Sequence, residues 1–551
     1  MLLASCGGGS GGGSTTDSGA AAASSAATAQ QAAAQKLALE TDVSRLAKQA
    51  TFGATPALID HMKAVGVSAW LDEQFAATGS RYSDIAADKL AVNACTTPDN
   101  GACFRHHFTR ETVAMRFYAN ALSQPDQLRQ RVAFALSQLV VASTLQVGNA
   151  QGSAGFNQIL LDNAFGNYRT LLTSVTLNAF MGDYLDMVNS SKTAPSENYA
   201  REMLQLFSMG TDQLNMDGTP VLDSTGARVA NYTPEDVKGV ARALTGWTFA
   251  HFSNGTTYVD YDYAVQMIPA PNAYDATAKS FLGVTVAAGA TQMASVQAAV
   301  DAAFNNASTA PFIAKFLIKQ LVTSNPSAAY VGRVAAVFAN NGSNVRGDLK
   351  AVIRAILTDA EARGSAGTTD NYGKVKEPVL LMTQLARAIN MTTDGKIFSN
   401  YDGTMGEAVF ASPSVFNFYP PDYPLPQSTL ESPASKLLSA GTILPRANFV
   451  YNWTIGAATT RSEFNTEANV TGATGSAIDW SSWEAFGTDI DGMIDRIDLI
   501  LASRTLTADQ KTALKNAANA VTNSNATQQA RLRAQAMLYI YVSSPLFQVD
   551  R

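Results

Sequence analysis

The sequence predicts a mostly α protein: one large multi-helical domain with a small β-hairpin insertion and long irregular loops. Three observations carry that expectation. Apolar residues recur at helical spacing through most segments after residue 36, capping residues and first-turn prolines precede several of them, and no tandem repeat or clean linker interrupts 37–551. With 551 residues, 46% of them apolar and 15% charged, the chain is long enough to bury a sizeable core. A formal net charge of −6 with no Lys/Arg cluster argues against nucleic acid, which needs a basic stripe to displace counterions. No uninterrupted apolar run reaches transmembrane length.

The first segment, 1–36, reads as a lipobox remnant followed by a flexible tether. Leu3-Ala4-Ser5-Cys6 resembles a bacterial lipobox, with Cys6 as the lipidated residue. Gly7 to Ser14 and the Ala/Gln-rich run to Ala34 have spacer composition. Only five residues precede Cys6, so an export signal is expected upstream of the present Met1. Gly7 after the Cys points to export, as a periplasmic or outer-membrane lipoprotein. In an exported protein, Cys95 and Cys103 of "ACTTPDNGAC" read as a disulfide closing a short turn-rich loop.

Order is expected from about Leu37. "TDVSRLAKQATFGATPALIDHMKAVGVSAWLDEQF" carries two amphipathic helices, with Thr55-Pro56 capping the second. "SQPDQLRQRVAFALSQLVVAS" reads as a helix capped by Ser123 with Pro125 in its first turn, and "NAFGNYRTLLTSVTLNAFMGDYLDMV" as the next. Between 214 and 232, Asp-Gly and Ser-Thr-Gly turn signals flank short β-prone runs and predict one hairpin. Thr233-Pro234-Glu235-Asp236 restarts a helix that Gly246 ends. Residues 251–290 read as aromatic loop. Helices resume at "TAPFIAKFLIKQLVTSNP" and continue through "KEPVLLMTQLARAI". The proline-rich passage "SPSVFNFYPPDYPLPQSTLESPAS" cannot be regular, and the end is again helical.

The candidate functional stretch is "SENYAREMLQLFSMG", Ser196–Gly210. It sets Glu197, Asn198, Arg201, Glu202 and Gln205 opposite a buried face of Tyr199, Met203, Leu206 and Phe207. An exposed Glu197–Arg201 pair at i,i+4 explains the amphipathicity without any function. In a cleft, by contrast, a desolvated carboxylate here could serve as general acid or base beside Arg201. Asp236 is a second candidate acid, although an Asp three residues after Thr233 suits a capping box. Tyr232 and Trp247 could wall such a site or lie in the core. Metal is possible but weakly signalled, and no ligands are assigned: "DIDGMIDRID" lacks calcium-loop spacing, and adjacent His106 and His107 have no third ligand at metal-site spacing. No phosphate loop, nucleotide fingerprint or G-x-S-x-G elbow is present, and no cofactor is indicated.

The pieces "RLAKQATFGATPALI", "AWLDEQF", "QLRQRVAFALSQLVV", "AFGNYRTLL", "ENYAREMLQLFSMG", "YTPEDVKGVARALTGW", "APFIAKFLIKQLVTSNPS", "RGDLKAVIRAILTDAEAR", "KEPV" and "SPSVFNFYPPDY" occur in this order over nearly the whole ordered chain. Together they resemble the bacterial family catalogued as domain of unknown function 1800. The resemblance implies an exported, mostly helical protein, often encoded beside an exported sulfatase-like protein, which is then a possible partner. Glu197, Asn198, Ala200, Arg201 and Glu202 match the family's most recognisable motif. Some members carry Trp-His-x-His-Phe where this chain has "FALSQLVVAS", and a His where it has Phe207, so no histidine mechanism transfers to a chain with only His61, His106, His107 and His251.

Two functions follow as expectations. The first is a tethered envelope enzyme, a hydrolase or lyase acting on an extracellular polysaccharide. Glu197, Arg201, Glu202 and Asp236 would be catalytic, and Asn198, Tyr232 and Trp247 would bind substrate. The second is a non-catalytic surface or assembly protein partnering the sulfatase-like neighbour, for which the passage 412–426 would suit docking.

Overall fold

Alanine and glutamine are strong helix formers, and the chain obeys that propensity from Asp17 onward. In the computed structural model, which describes residues 17–91, 94–95, 100–253, 259–364, 371–456, 470 and 472–551, one helix runs from Asp17 to Ala50. The second half of the expected flexible tether is therefore helical. Residues 27–39 are exposed, and burial begins at Glu40 and Val43. Packing thus starts within a few residues of the expected boundary even though the helix starts earlier.

Helices dominate the described residues, with short strands only in two-stranded antiparallel pairs. Among the described residues a continuous apolar core joins Val43 near the start to Phe547 near the end. None of the described helices is long and apolar enough to cross a membrane.

Several caps fall where the sequence places them. Thr55 Oγ1 accepts from the Leu58 amide, and Thr233 with Asp236 forms a reciprocal capping box ahead of Pro234–Ala243. The helix expected to start at Ser123 does not. Ser123 is the last residue of Glu111–Ser123 and bonds back to the Ala119 carbonyl at 2.7 Å. The next helix is Gln127–Ser137, and its first turn is capped from another element, by Gln74 Oε1 on the Leu128 amide at 3.1 Å. Asp126, at the cap position, instead takes the amide and hydroxyl of Ser80.

The hairpin expected at 214–232 is a pair of bridged turns. Isolated bridges link Leu214 to Pro220 and Leu222 to Arg228, while Asp217 and Asp223 accept local backbone hydrogen bonds. The Asx turns shape the two reversals, and backbone bonds such as Val221 N–H to the Gln213 carbonyl and Val229 N–H to the Val221 carbonyl tie the runs together without a named strand. Strands fall instead in the segment read as loop: Ala250–Ser253 pairs with Val259–Asp262, and Trp247–Thr248 with Ile268–Pro269.

One short pairing positions the site described next. Lys374–Val375 pairs antiparallel with Val549–Asp550, which brings the chain's last residues beside the start of the helix Pro378–Ala388.

Candidate functional site

The polar helix is shorter than its pattern suggests, spanning Asn198–Gln205 with Glu197 at the cap position. Arg201 Nη2 meets Glu197 Oε2 at 2.8 Å, with the two side chains 45% and 38% exposed. Asn198 donates to Asp186 Oδ2 at 2.5 Å on the same open surface. Glu197, Asn198 and Arg201 lie apart from the cavity lined by Glu377 and Tyr419 and from the one lined by Gln138 and Phe410. Glu202 alone turns inward: its Oε2 is buried and meets no donor among the described residues, and burial raises its pKa despite Arg201.

The remaining predicted residues have structural surroundings. Asp236 Oδ2 takes the Thr233 amide and hydroxyl, and its Oδ1 takes the Leu282 amide at 2.6 Å. Burial pushes its pKa up, but these bonds hold it below the ordinary value. Trp247 is buried in the core, and Tyr232 donates to Gln205 Oε1 at 3.3 Å. Cys6 lies outside the described residues. Cys95 and Cys103 are paired, with Cα atoms 5.5 Å apart.

The most concentrated buried polar chemistry lies elsewhere, where three quoted motif pieces converge. "KEPV" contributes Lys376 and Glu377, "QLRQRVAFALSQLVV" contributes Arg131 and Gln138, and "SPSVFNFYPPDY" contributes Tyr419. All five side chains are buried. Glu377 stands at the N-terminal cap of Pro378–Ala388, where the first helical position is a proline and the helix dipole favours an anion. Its Oε2 accepts the Tyr419 hydroxyl at 2.5 Å and Gln138 Nε2 at 3.0 Å. Gln138 Oε1 lies 2.9 Å from the same hydroxyl, so one glutamine bridges the pair.

Glu407 reaches the same helix end and accepts the Val379 amide at 3.0 Å. That bond alone makes Glu407 a helix cap. Its proximity to Glu377 adds more: Oε1 of each carboxyl is buried and meets no donor among the described residues. A single proton on Glu407 satisfies both, because two like charges this close in a low dielectric cannot both ionise. Burial, then the charge of Glu377, drives the Glu407 pKa well above the ordinary range. Glu377 is pushed up by burial too, but Lys374, Arg131 and the bonds from Tyr419 and Gln138 hold it below.

Cations flank the pair. Arg131 Nη2 and Lys374 Nζ both donate to the Gln320 carbonyl, each at 2.7 Å. Burial and the neighbouring Arg131 bring the Lys374 pKa down to about 8. Lys376 Nζ sits 3.6 Å above the Phe547 ring and 3.4 Å from Asp550 Oδ1.

Glu377, Tyr419 and Lys374 open onto a small cavity rimmed by Pro421 and Pro433, with Lys319 bonded to Glu431 at its edge. Its volume of about 20 Å³ has room for about one water molecule. A second cavity of similar size lies on the Gln138 side, lined by Phe410, Ser412 and Asn417. Phe410 and Asn417 both hold positive φ, at 62° and 61°, and a bulky residue there is strained. The irregular passage 412–426 therefore supplies the wall between two cavities, with Tyr419 buried and Phe416 and Leu425 exposed.

These five residues lie within the quoted motif pieces, but nothing in their spacing along the sequence marks them as one site. The available signal is a Lys-Glu doublet standing directly before a first-turn proline and the apolar run Val379–Met382. Glu407 carried no comparable signal.

Fold and site together define a large helical protein built around a buried carboxyl pair. The chain belongs to the DUF1800 family, described as protein of unknown function, whose profile matches residues 45–549. No curated protein and no solved structure matches it.

Proposed function

We propose that the chain is an exported, lipid-tethered cell-envelope enzyme acting on an extracellular polysaccharide by carboxylate acid/base chemistry, as a hydrolase or lyase, with Glu377 and Tyr419 as the reacting groups. The observation that carries this reading is the 2.5 Å contact between Tyr419 and Glu377 at the floor of a cavity. In this reading Glu377 accepts a proton from an incoming water or from a sugar carbon. The Tyr419 hydroxyl gives one to the departing oxygen, and a proton passed from Glu377 back to Tyr419 resets the site. Lys374 and Arg131 supply positive charge beside it. Because the cavity admits about one water, the polymer would lie across the rim formed by Pro421 and Pro433.

The test is a polysaccharide panel scored for reducing ends and for the ultraviolet absorbance of an unsaturated product. Tyr419→Phe is expected to lower the rate about 10²-fold or more, the range for loss of a general acid or base. Wild-type rates in that variant would overturn the assignment. The tether is tested by detergent partition and palmitate labelling of the chain with a full leader, both of which Cys6→Ser should abolish.

A specific observation favours the second reading, a docking protein for the sulfatase-like partner. The helices Ala440–Trp453 and Ala526–Ser543 pack together yet expose Ile443, Leu444, Tyr451, Tyr539 and Ile540. Co-purification of that neighbour, lost on Leu444→Glu, together with no activity on any polymer, would favour it.

A further inference from the structure

We infer that Asp88, His106 and His107 form a binding site for one divalent transition-metal ion, with zinc as the representative ion. One ligand atom from each of the three lies within 4.8 Å of the other two. Adjacent histidines on a helix diverge by about 100°, and sequence spacing supplied no third ligand. Tertiary structure removes both objections. The helix Asn100–Phe108 ends one residue after the pair, and the imidazoles are drawn together with ring centroids 4.5 Å apart. Asp88 arrives from a segment eighteen residues upstream, with Oδ2 2.9 Å from His106 Nε2.

Other groups hold each ligand in place, and at His106 the second ring nitrogen meets a hydroxyl oxygen, as in the outer shell of a metal site. Thr112 Oγ1 lies 3.2 Å from His106 Nδ1, and the Gln151 amide engages both His107 Nδ1 and the Asp88 carbonyl at 3.0 Å. Lys89, the cation next to Asp88 in sequence, is committed to Asp262 at 2.5 Å and does not compete for the carboxylate. The two histidines stand in the last turn of their helix, where the dipole favours a cation. Asp88 is exposed and the histidines are partly so, which gives an ion a path in. An Asp–His hydrogen bond by itself needs no second imidazole at its side. Two imidazoles and one carboxylate are a donor set for borderline divalent ions, and three protein ligands leave coordination positions for water.

The experiment uses the full chain carrying Cys6→Ser, kept unreduced so that no thiol can bind metal, and freed of metal by dialysis against chelator. Zinc titration by calorimetry should show one saturable equivalent. Cobalt should bind with the same stoichiometry and give a visible d–d spectrum. Asp88→Asn and His107→Gln should each weaken binding at least ten-fold, the scale of losing a supporting contact at a metal site. Asp88 is exposed, so Asp88→Asn keeps the fold and decides the matter if His107→Gln does not. Absence of a saturable equivalent at millimolar zinc, or undiminished binding by Asp88→Asn, overturns the site.

Discussion

The Tyr419 hydroxyl donates to Glu377 Oε2 across 2.5 Å, and both groups are buried where the proline-rich passage meets the N-terminus of the helix Pro378–Ala388. This bond joins two segments 42 residues apart and is charge-assisted. Tyr419→Phe should therefore lower stability by about 1.5–3 kcal/mol in denaturant titration, besides its effect on rate. A loss below about 0.5 kcal/mol would mean that the contact is not formed in solution.

The two carboxyls should respond oppositely to neutralisation. Glu407→Gln keeps the shape of a carboxyl that burial and the charge of Glu377 favour in its neutral form, so stability at pH 7 should change by less than about 1 kcal/mol. Glu377→Gln strands Arg131 and Lys374 without their counter-charge and should lose about 3–5 kcal/mol. Because its folded pKa lies below the ordinary value of 4.5, the contribution of Glu377 is present above that value and lost as pH falls through the folded one. Equal effects of the two substitutions would refute the shared-proton arrangement.

Lys376 gives a pH dependence of the other sign. Burial lowers its pKa to about 7 from 10.5, so between those values the unfolded chain holds a proton that the folded chain has released. Stability contributed by this group therefore rises with pH across that window, by up to about 1.4 kcal/mol per pH unit. Chemical denaturation of wild type and Lys376→Met at pH 7 and 9 measures it. The variant should show the smaller increase, and matching slopes would contradict the assignment.

On the polar helix, Glu197→Gln and Arg201→Ala should each cost no more than about 0.5 kcal/mol, as for exposed pairs elsewhere. Glu202→Gln should leave stability unchanged or slightly raised at pH 7, by under about 1 kcal/mol after solvent screening. Its raised folded pKa makes the native state hold the extra proton, so that gain should vanish on acidification. Any larger loss in Glu197→Gln, or loss of function without loss of fold, would return the site to this helix.

The Cys95–Cys103 link should appear as one cross-linked peptide pair in unreduced protein from an oxidising compartment. Reducing it should destabilise by about 2–3 kcal/mol, given so short a loop. Free thiols at both positions in periplasmic protein would exclude it.

Local physics made much of this chain legible from its sequence. Thr55 with Pro56 and the Thr233–Asp236 box announce helix starts because the cap and the capped amide lie within three residues. The helical class follows from apolar spacing alone, and the Cys95–Cys103 pairing from proximity along the chain. Tertiary structure decided the rest. Ser123 failed as a cap because Gln74, from another element, took that role. Between 214 and 232 only isolated bridges form, whereas named strand pairs fall in 247–286, where the partners come from turns that the sequence signals do not mark. The acid pair needed residues from 131 to 419 brought to one helix end, and the Asp88–His106–His107 group needed a carboxylate from a separate segment. Sequence periodicity reports which face of an element is apolar. It does not report which distant polar groups are desolvated together, and in a low-dielectric interior that is what sets their charge and chemistry.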